Sequence, residues 1–216
     1  MSLRNIELTK PGSRVLRARL ELACMLCGLA LAFFDSAALA QLRKGEVAQR
    51  TFIGHGDSFR FRYQSSFILC GKSNRPESCE TYIPICDETA LACVAYPKAR
   101  YAGTNFEGAA FSVTKQADAD TENKCLDSMK SPSDKESING VEFKGSDDSS
   151  AGMGHGLSGR AYKAFHNGQC YQLAIRVAFA SLGGSTPGTI KEFTPRDEEK
   201  VRSTLKRILT SFKFLN

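Results

Sequence analysis

Histidine is scarce in this chain, occurring only at positions 55, 155 and 166. Imidazole is the usual general base and a common metal ligand near neutral pH, so few catalytic constellations can be assembled. Structural zinc sites need paired cysteines two to four residues apart, and the cysteines beyond residue 40 begin with gaps of nine, seven and seven. No metal site is therefore expected, and no cofactor motif is present. The one C-x-x-C pair, Cys24 with Cys27, falls in the N-terminal apolar run and gives no basis for thiol redox chemistry. That run, Leu22 to Phe34, is the longest apolar stretch. Its 13 residues reach only about 20 Å as a helix, short of the roughly 20 residues a membrane span requires. A basic stripe interleaved with aromatics is also lacking, which argues against nucleic acid as a partner.

What is present begins with an export signal. Arg4, Lys10, Arg14, Arg17 and Arg19 precede the apolar run, and Ala38-Leu39-Ala40 follows it as a small-x-small cleavage site. Residues 1–40 are read as a cleavable signal peptide, without a lipobox or twin-arginine pair, and the mature chain as secreted or periplasmic with no membrane span. Cleavage removes five of the 29 basic and three of the 23 acidic residues, leaving a net charge of +4. The mature charges alternate in sign along the chain.

Six cysteines remain beyond the leader: Cys70, Cys79, Cys86, Cys93, Cys125 and Cys170. An even number in an exported chain reads as a disulfide framework with fifteen possible connectivities. Four lie close together around one loop, leaving Cys125 and Cys170 as the natural distant pair. In the chain-entropy model a bridge of that length stabilises by about 4 kcal/mol, against about 2.5 kcal/mol for a Cys86–Cys93 loop.

Residues 41–56 are polar and basic, without a period of their own, and are read as a linker to a single domain over 57–216. In that domain Phe59, Phe61 and Tyr63 alternate with Arg60 and Arg62, the period of a half-buried strand. Residues 71–88 read as a loop held by disulfides, 91–96 and 108–114 as strands, and 119–129 as a short helix. Val141-Glu142-Phe143 follows Asn139-Gly140 as another alternating segment. Residues 160–165 and 170–179 flank His166-Asn167-Gly168-Gln169, a hairpin signal with a type I′ turn. Thr194 is placed to cap a helix with Pro195 at its first position, and Val201, Leu205, Ile208, Leu209 and Phe212 form its apolar stripe. The fold class is α+β: an antiparallel sheet with packed helices, including an amphipathic C-terminal helix, braced by disulfides.

The alternating aromatic strand, the central hairpin and the terminal helix running into Leu209-Thr210-Ser211-Phe212-Lys213-Phe214 resemble the PsbP-like domains of the α/β/α sandwich type, over about residues 57–216. The disulfide loop lies outside that family's pattern. The resemblance implies a binding or assembly module beside a larger complex and carries over no functional residues.

The candidate site is the glycine-rich stretch Gly152-Met153-Gly154-His155-Gly156-Leu157-Ser158-Gly159-Arg160. Glycines let backbone N–H groups cradle an anion, and Arg160 could add charge-assisted bonds. His155, Gly156, Ser158 and Arg160 are its candidate ligand-binding residues; the same glycines equally suit a loop entering the hairpin. Ser158 misses the G-x-S-x-G elbow by one residue. Asp147-Asp148 lacks the periodicity of a calcium loop. Tyr101, Asn105 and Phe106 could form an exposed patch for a partner or part of the core. The reading is an exported, non-enzymatic binding or assembly module for an unknown protein or small ligand. The alternative from another class is a hydrolase or metal-dependent enzyme using residues 152–160.

Overall fold

A computed structural model describes residues 47–54, 56, 59–71, 76–129, 133–184 and 188–215. The segment read as a signal peptide and His55 lie outside the described residues, as do residues 41–46 of the segment read as a linker. Within the unit Ala48–Asn216, eleven strands and two α-helices are described. The strands are β1 (Gln49–Gly54), β2 (Phe59–Gln64), β3 (Ile68–Leu69), β4 (Ala92–Ala95), β5 (Phe106–Gln116), β6 (Ser133–Ile138), β7 (Val141–Asp147), β8 (Ser150–Gly152), β9 (His155–His166), β10 (Gln169–Ala180) and β11 (Lys213–Phe214). The helices are α1 (Glu122–Asp127) and α2 (Pro195–Ser211).

One large antiparallel sheet runs β3-β4-β5-β10-β9-β7-β6, with β8 paired to the free stretch of β9 beside β7. A second sheet, β1-β2-β11, has three strands. The main core lies between the two sheets and α2. Phe59, Phe61 and Tyr63 point into it from β2, Tyr171, Leu173, Ile175 and Val177 from β10, and Val201, Leu205, Ile208 and Leu209 from α2. Each of these α2 side chains, fully buried, contributes roughly 1.5–3 kcal/mol. The Thr194 side chain accepts the Asp197 N–H at 3.2 Å and Pro195 opens the helix, as the sequence predicts.

The opposite face of the large sheet is covered by the loop before β4 and by α1. Ile85, Cys86, Cys93, Ala110, Leu157 and Ala178 pack there as a second cluster. Three disulfides brace these coverings: Cys70–Cys79, Cys86–Cys93 and Cys125–Cys170. The last ties α1 to β10 and is the distant pair expected from spacing.

Two sequence assignments change, and one strand is added where none was assigned. Residues 49–54, read as linker, form β1 and pair with β2 in continuous register from Gln49↔Gln64 to Gly54↔Phe59. Only Phe52 offers a large inward apolar group while Ile53 faces outward, so no alternation announces the strand. The charged edge strand β6 (SDKESI) is hidden for the same reason, since it buries only Ile138. The glycine-rich stretch is not a loop. Gly152 pairs with His155 across the two-residue turn Met153-Gly154, and β9 begins at His155.

Candidate binding groove

Strand alternation decides what the glycine-rich residues can do, because neighbours in β9 face opposite sides of the sheet. Ser158 faces α2, where its hydroxyl donates to Glu198 Oε1 at 2.7 Å and accepts from Arg202. His155 faces the disulfide-loop side: its ring stacks on Tyr82 at 3.9 Å and its Nδ1 meets Glu107 Oε1 at 2.7 Å. The serine and histidine are thus held apart by the pleat, and the hydrolase pairing of Ser158 with His155 is not made. His166 sits at the β9–β10 turn stacked on Phe214 at 3.9 Å.

The anion cradle also fails. The Arg160 guanidinium is committed to Asp134 and lies over the Tyr162 ring. Gly156 is covered by Phe179, whose ring carbon would sit 2.6 Å from a Cβ at that position, so this glycine serves packing. Gly159 faces the Asp148 carbonyl, 2.6 Å from where its Cβ would stand, where the chain steps from β7 to β8. Asp148 pairs with Arg176 at 2.7 Å, and the Asp147 carboxylate accepts from the Ser149 backbone and hydroxyl, so this acidic pair closes a turn. Among the described residues the group of side chains close enough to share a metal ion is Cys70, Cys86 and Cys93, all bonded in disulfides.

What the stretch does build is one wall of a groove of about 740 Å³. Ala151, Met153, His155 and Gly156 contribute from the β8–β9 hairpin, Phe179 and Leu182 from the end of β10 and beyond, and Phe193 and Glu198 from the approach to α2 and its first turn. Asn105 ties these segments together. Its Nδ2 donates to the Ala180 carbonyl at 2.6 Å and its Oδ1 accepts the Phe193 N–H at 2.6 Å. Behind it Tyr101, Phe106 and Phe193 pack as an aromatic cluster, with the Tyr101 and Phe193 rings 4.9 Å apart. The patch considered around Tyr101, Asn105 and Phe106 is therefore core that supports the groove. Burial pushes the Tyr101 hydroxyl above the ordinary tyrosine range.

Two features of the rim escaped the sequence. Met153 takes φ of 50° as the first residue of the turn, a region that favours glycine or asparagine, and it is 85% exposed. The Tyr82 hydroxyl donates to its sulfur at 2.9 Å. Glu107 occupies the irregular step in the β5–β10 register, which turns its carboxylate toward His155. The other two-residue turns with both residues at positive φ, Asn139-Gly140 and Asn167-Gly168, carry the asparagine such turns prefer. Met153 departs from that rule at the groove.

No protein-family model matches the chain, and no curated protein matches it. Among solved structures, the chain is similar to the solution structure of the cyanobacterial PsbP protein CyanoP from Synechocystis at 9% identity and a TM-score of 0.41, covering 79% of this chain and 95% of that one. It is similar to LpqN, involved in cell envelope biogenesis of Mycobacterium tuberculosis, at 10% identity and a TM-score of 0.41, covering 81% and 94%. It is also similar to a Bacteroides thetaiotaomicron protein at 11% identity and a TM-score of 0.43, covering 77% of this chain and 48% of that one. The CyanoP match is to the family that the strand pattern resembles.

Proposed function

We propose that this protein is an extracytoplasmic, non-enzymatic binding module that takes the apolar part of a small amphipathic ligand into the groove between the β8–β9 hairpin, the end of β10 and the start of α2. The observation that carries the reading is Met153. A flexible, polarisable side chain stands exposed at the rim, on backbone that asparagine or glycine would occupy more readily. The groove volume of about 740 Å³ falls within the range of small-molecule sites, and apolar walls with a few polar groups at the rim are their usual lining. Three disulfides support an oxidising, extracytoplasmic setting.

The test is a fluorescence titration with Nile red, a neutral apolar probe. Saturable one-to-one binding is expected, abolished by Ala151→Trp or Ser181→Trp, which fill the groove from its two sides. Met153→Asn should weaken probe binding while raising the thermal midpoint, since it relieves about 1 kcal/mol of backbone strain. Probe binding that ignores all three substitutions would overturn the reading. Intact mass of the exported protein tests the setting: a chain beginning at Gln41 with no free thiols is expected.

A further inference from the structure

The three-stranded sheet carries a second feature, independent of the groove. Strands β1, β2 and β11 contain Arg50, Arg60, Arg62 and Lys213 and not one acidic residue. Arg60 and Arg62 share the outward face of β2, and Lys213 lies directly opposite Arg60 in the β2–β11 register. Side chains at such positions start about 5 Å apart, and like charges placed there repel. Some cations elsewhere pair with carboxylates, as Lys135 does with Glu142, Arg176 with Asp148, Arg202 with Glu198 and Lys206 with Glu136. Among the described residues Arg60, Arg62 and Lys213 have no such partner.

These three cations line a cavity of about 420 Å³ together with the hydroxyl-bearing Thr51, Thr210 and Ser211, and no carboxylate lines it. A structural duty for the cations would be to satisfy the carbonyls at the C-terminus of α2. That duty is already filled. Asn139 Nδ2 donates to the carbonyls of Thr210 at 2.9 Å and Phe212 at 2.6 Å, and the Ser211 hydroxyl lies 2.7 Å from the Ile208 carbonyl. The Ser211 hydroxyl also accepts the Arg62 N–H at 2.8 Å and the Thr210 hydroxyl donates to the Arg207 carbonyl at 3.2 Å, which leaves the three cations and Thr51 as the cavity's remaining donors among the described residues.

We infer that this pocket, formed by Arg60, Arg62 and Lys213 on the outer face of the small sheet, is a binding site for a phosphate group. Two guanidinium forks and an ammonium lining one cavity supply the charge-assisted donors that a tetrahedral oxyanion accepts, with the Thr51 hydroxyl beside them. A bound phosphate would also relieve the Arg60–Lys213 repulsion. Free phosphate and a phospholipid headgroup present the same chemistry.

Two experiments together test the site on the full mature chain at low ionic strength. In the first, inorganic phosphate is titrated by calorimetry and the thermal midpoint is followed, with sodium chloride at equal ionic strength as the control for screening. In the second, vesicles of phosphatidylglycerol are compared with vesicles of phosphatidylcholine. Saturable phosphate binding that raises the midpoint by a few degrees is expected, with affinity falling about tenfold for each of Arg60→Gln and Lys213→Gln. In phosphate-free buffer the same substitutions should raise the midpoint, because each removes an unpartnered like charge. Binding to the anionic vesicles that these substitutions abolish identifies the headgroup as the source, and phosphate binding without vesicle binding identifies the free anion. The inference is overturned if neither probe binds beyond the chloride control, or if binding is unchanged by the substitutions. It is equally overturned if the substitutions lower the midpoint in phosphate-free buffer, which would return the cations to a structural role.

Discussion

Removing the Cys125–Cys170 bridge should cost more stability than removing either short bridge, and the difference can be worked out in advance. The bridge closes a sequence separation of 45, against 7 for Cys86–Cys93. Closing loops of these lengths in the unfolded chain corresponds to about 4 kcal/mol and about 2.5 kcal/mol respectively. The cysteines of both pairs are buried, so replacing them by alanine removes similar packing in each case and the comparison isolates the loop term. For a unit of this size one kcal/mol moves the midpoint by about 2–4 °C, so Cys125→Ala/Cys170→Ala should fall by about 8–16 °C and Cys86→Ala/Cys93→Ala by about 5–10 °C. Thermal and guanidinium unfolding of the two double variants beside the parent measures this. The long bridge ties α1 to β10 and encloses β6 to β9, so the denatured chain without it should also be more expanded and give a steeper denaturant slope. An equal or smaller loss for the long-bridge variant would refute the reasoning.

Thr194→Ala removes the cap of α2 and should cost about 1 kcal/mol in guanidinium unfolding. Gly159→Ala drives a Cβ to 2.6 Å from the Asp148 carbonyl and should cost about 1–3 kcal/mol, whereas Gly152→Ala, with open space around it, should change the midpoint little. Lys163 is buried, its ammonium held by Gln116 Oε1 at 2.9 Å and Ser128 Oγ at 2.7 Å, and burial holds its pKa below the usual lysine value while Asp148 pulls the other way. The unfolded chain therefore binds more protons between that lowered pKa and the ordinary lysine value, and stability gains from Lys163 as pH rises through this window. Comparing unfolding free energies of the parent and Lys163→Met from pH 7 upward should show this gain in the parent alone; parallel curves would contradict it.

The elements read correctly from sequence are those with a period and a partner signal together. Tyr171 to Val177 alternate on a long strand behind an Asn-Gly turn, and Val201 to Leu209 stripe a helix opened by Thr194 and Pro195. The elements missed bury one side chain or none: β1 shows only Phe52, β6 only Ile138, and β8 nothing. A strand at the edge of a sheet is held by backbone hydrogen bonds that any sequence can make, so its residues need not advertise it. The disulfide partners were legible only where spacing isolated a pair.

The glycine-rich stretch has a different physical basis from the one its composition suggests. Its glycines suggested open backbone for a ligand, yet Gly156 and Gly159 are glycine because Phe179 and the Asp148 carbonyl leave no room for a side chain. Met153, on which the proposed binding role rests, is hidden because an Asn-Gly turn is a recognised signal and a Met-Gly turn is not. Placing methionine in left-handed backbone lowers stability, and with the side chain 85% exposed what it gains within the fold is the Tyr82 hydroxyl on its sulfur. Under the proposed function, Met153 is kept for contact with a ligand and not for the fold. That is why the decisive substitution at the groove is Met153→Asn, which should move stability and binding in opposite directions. A purely structural methionine would move them together.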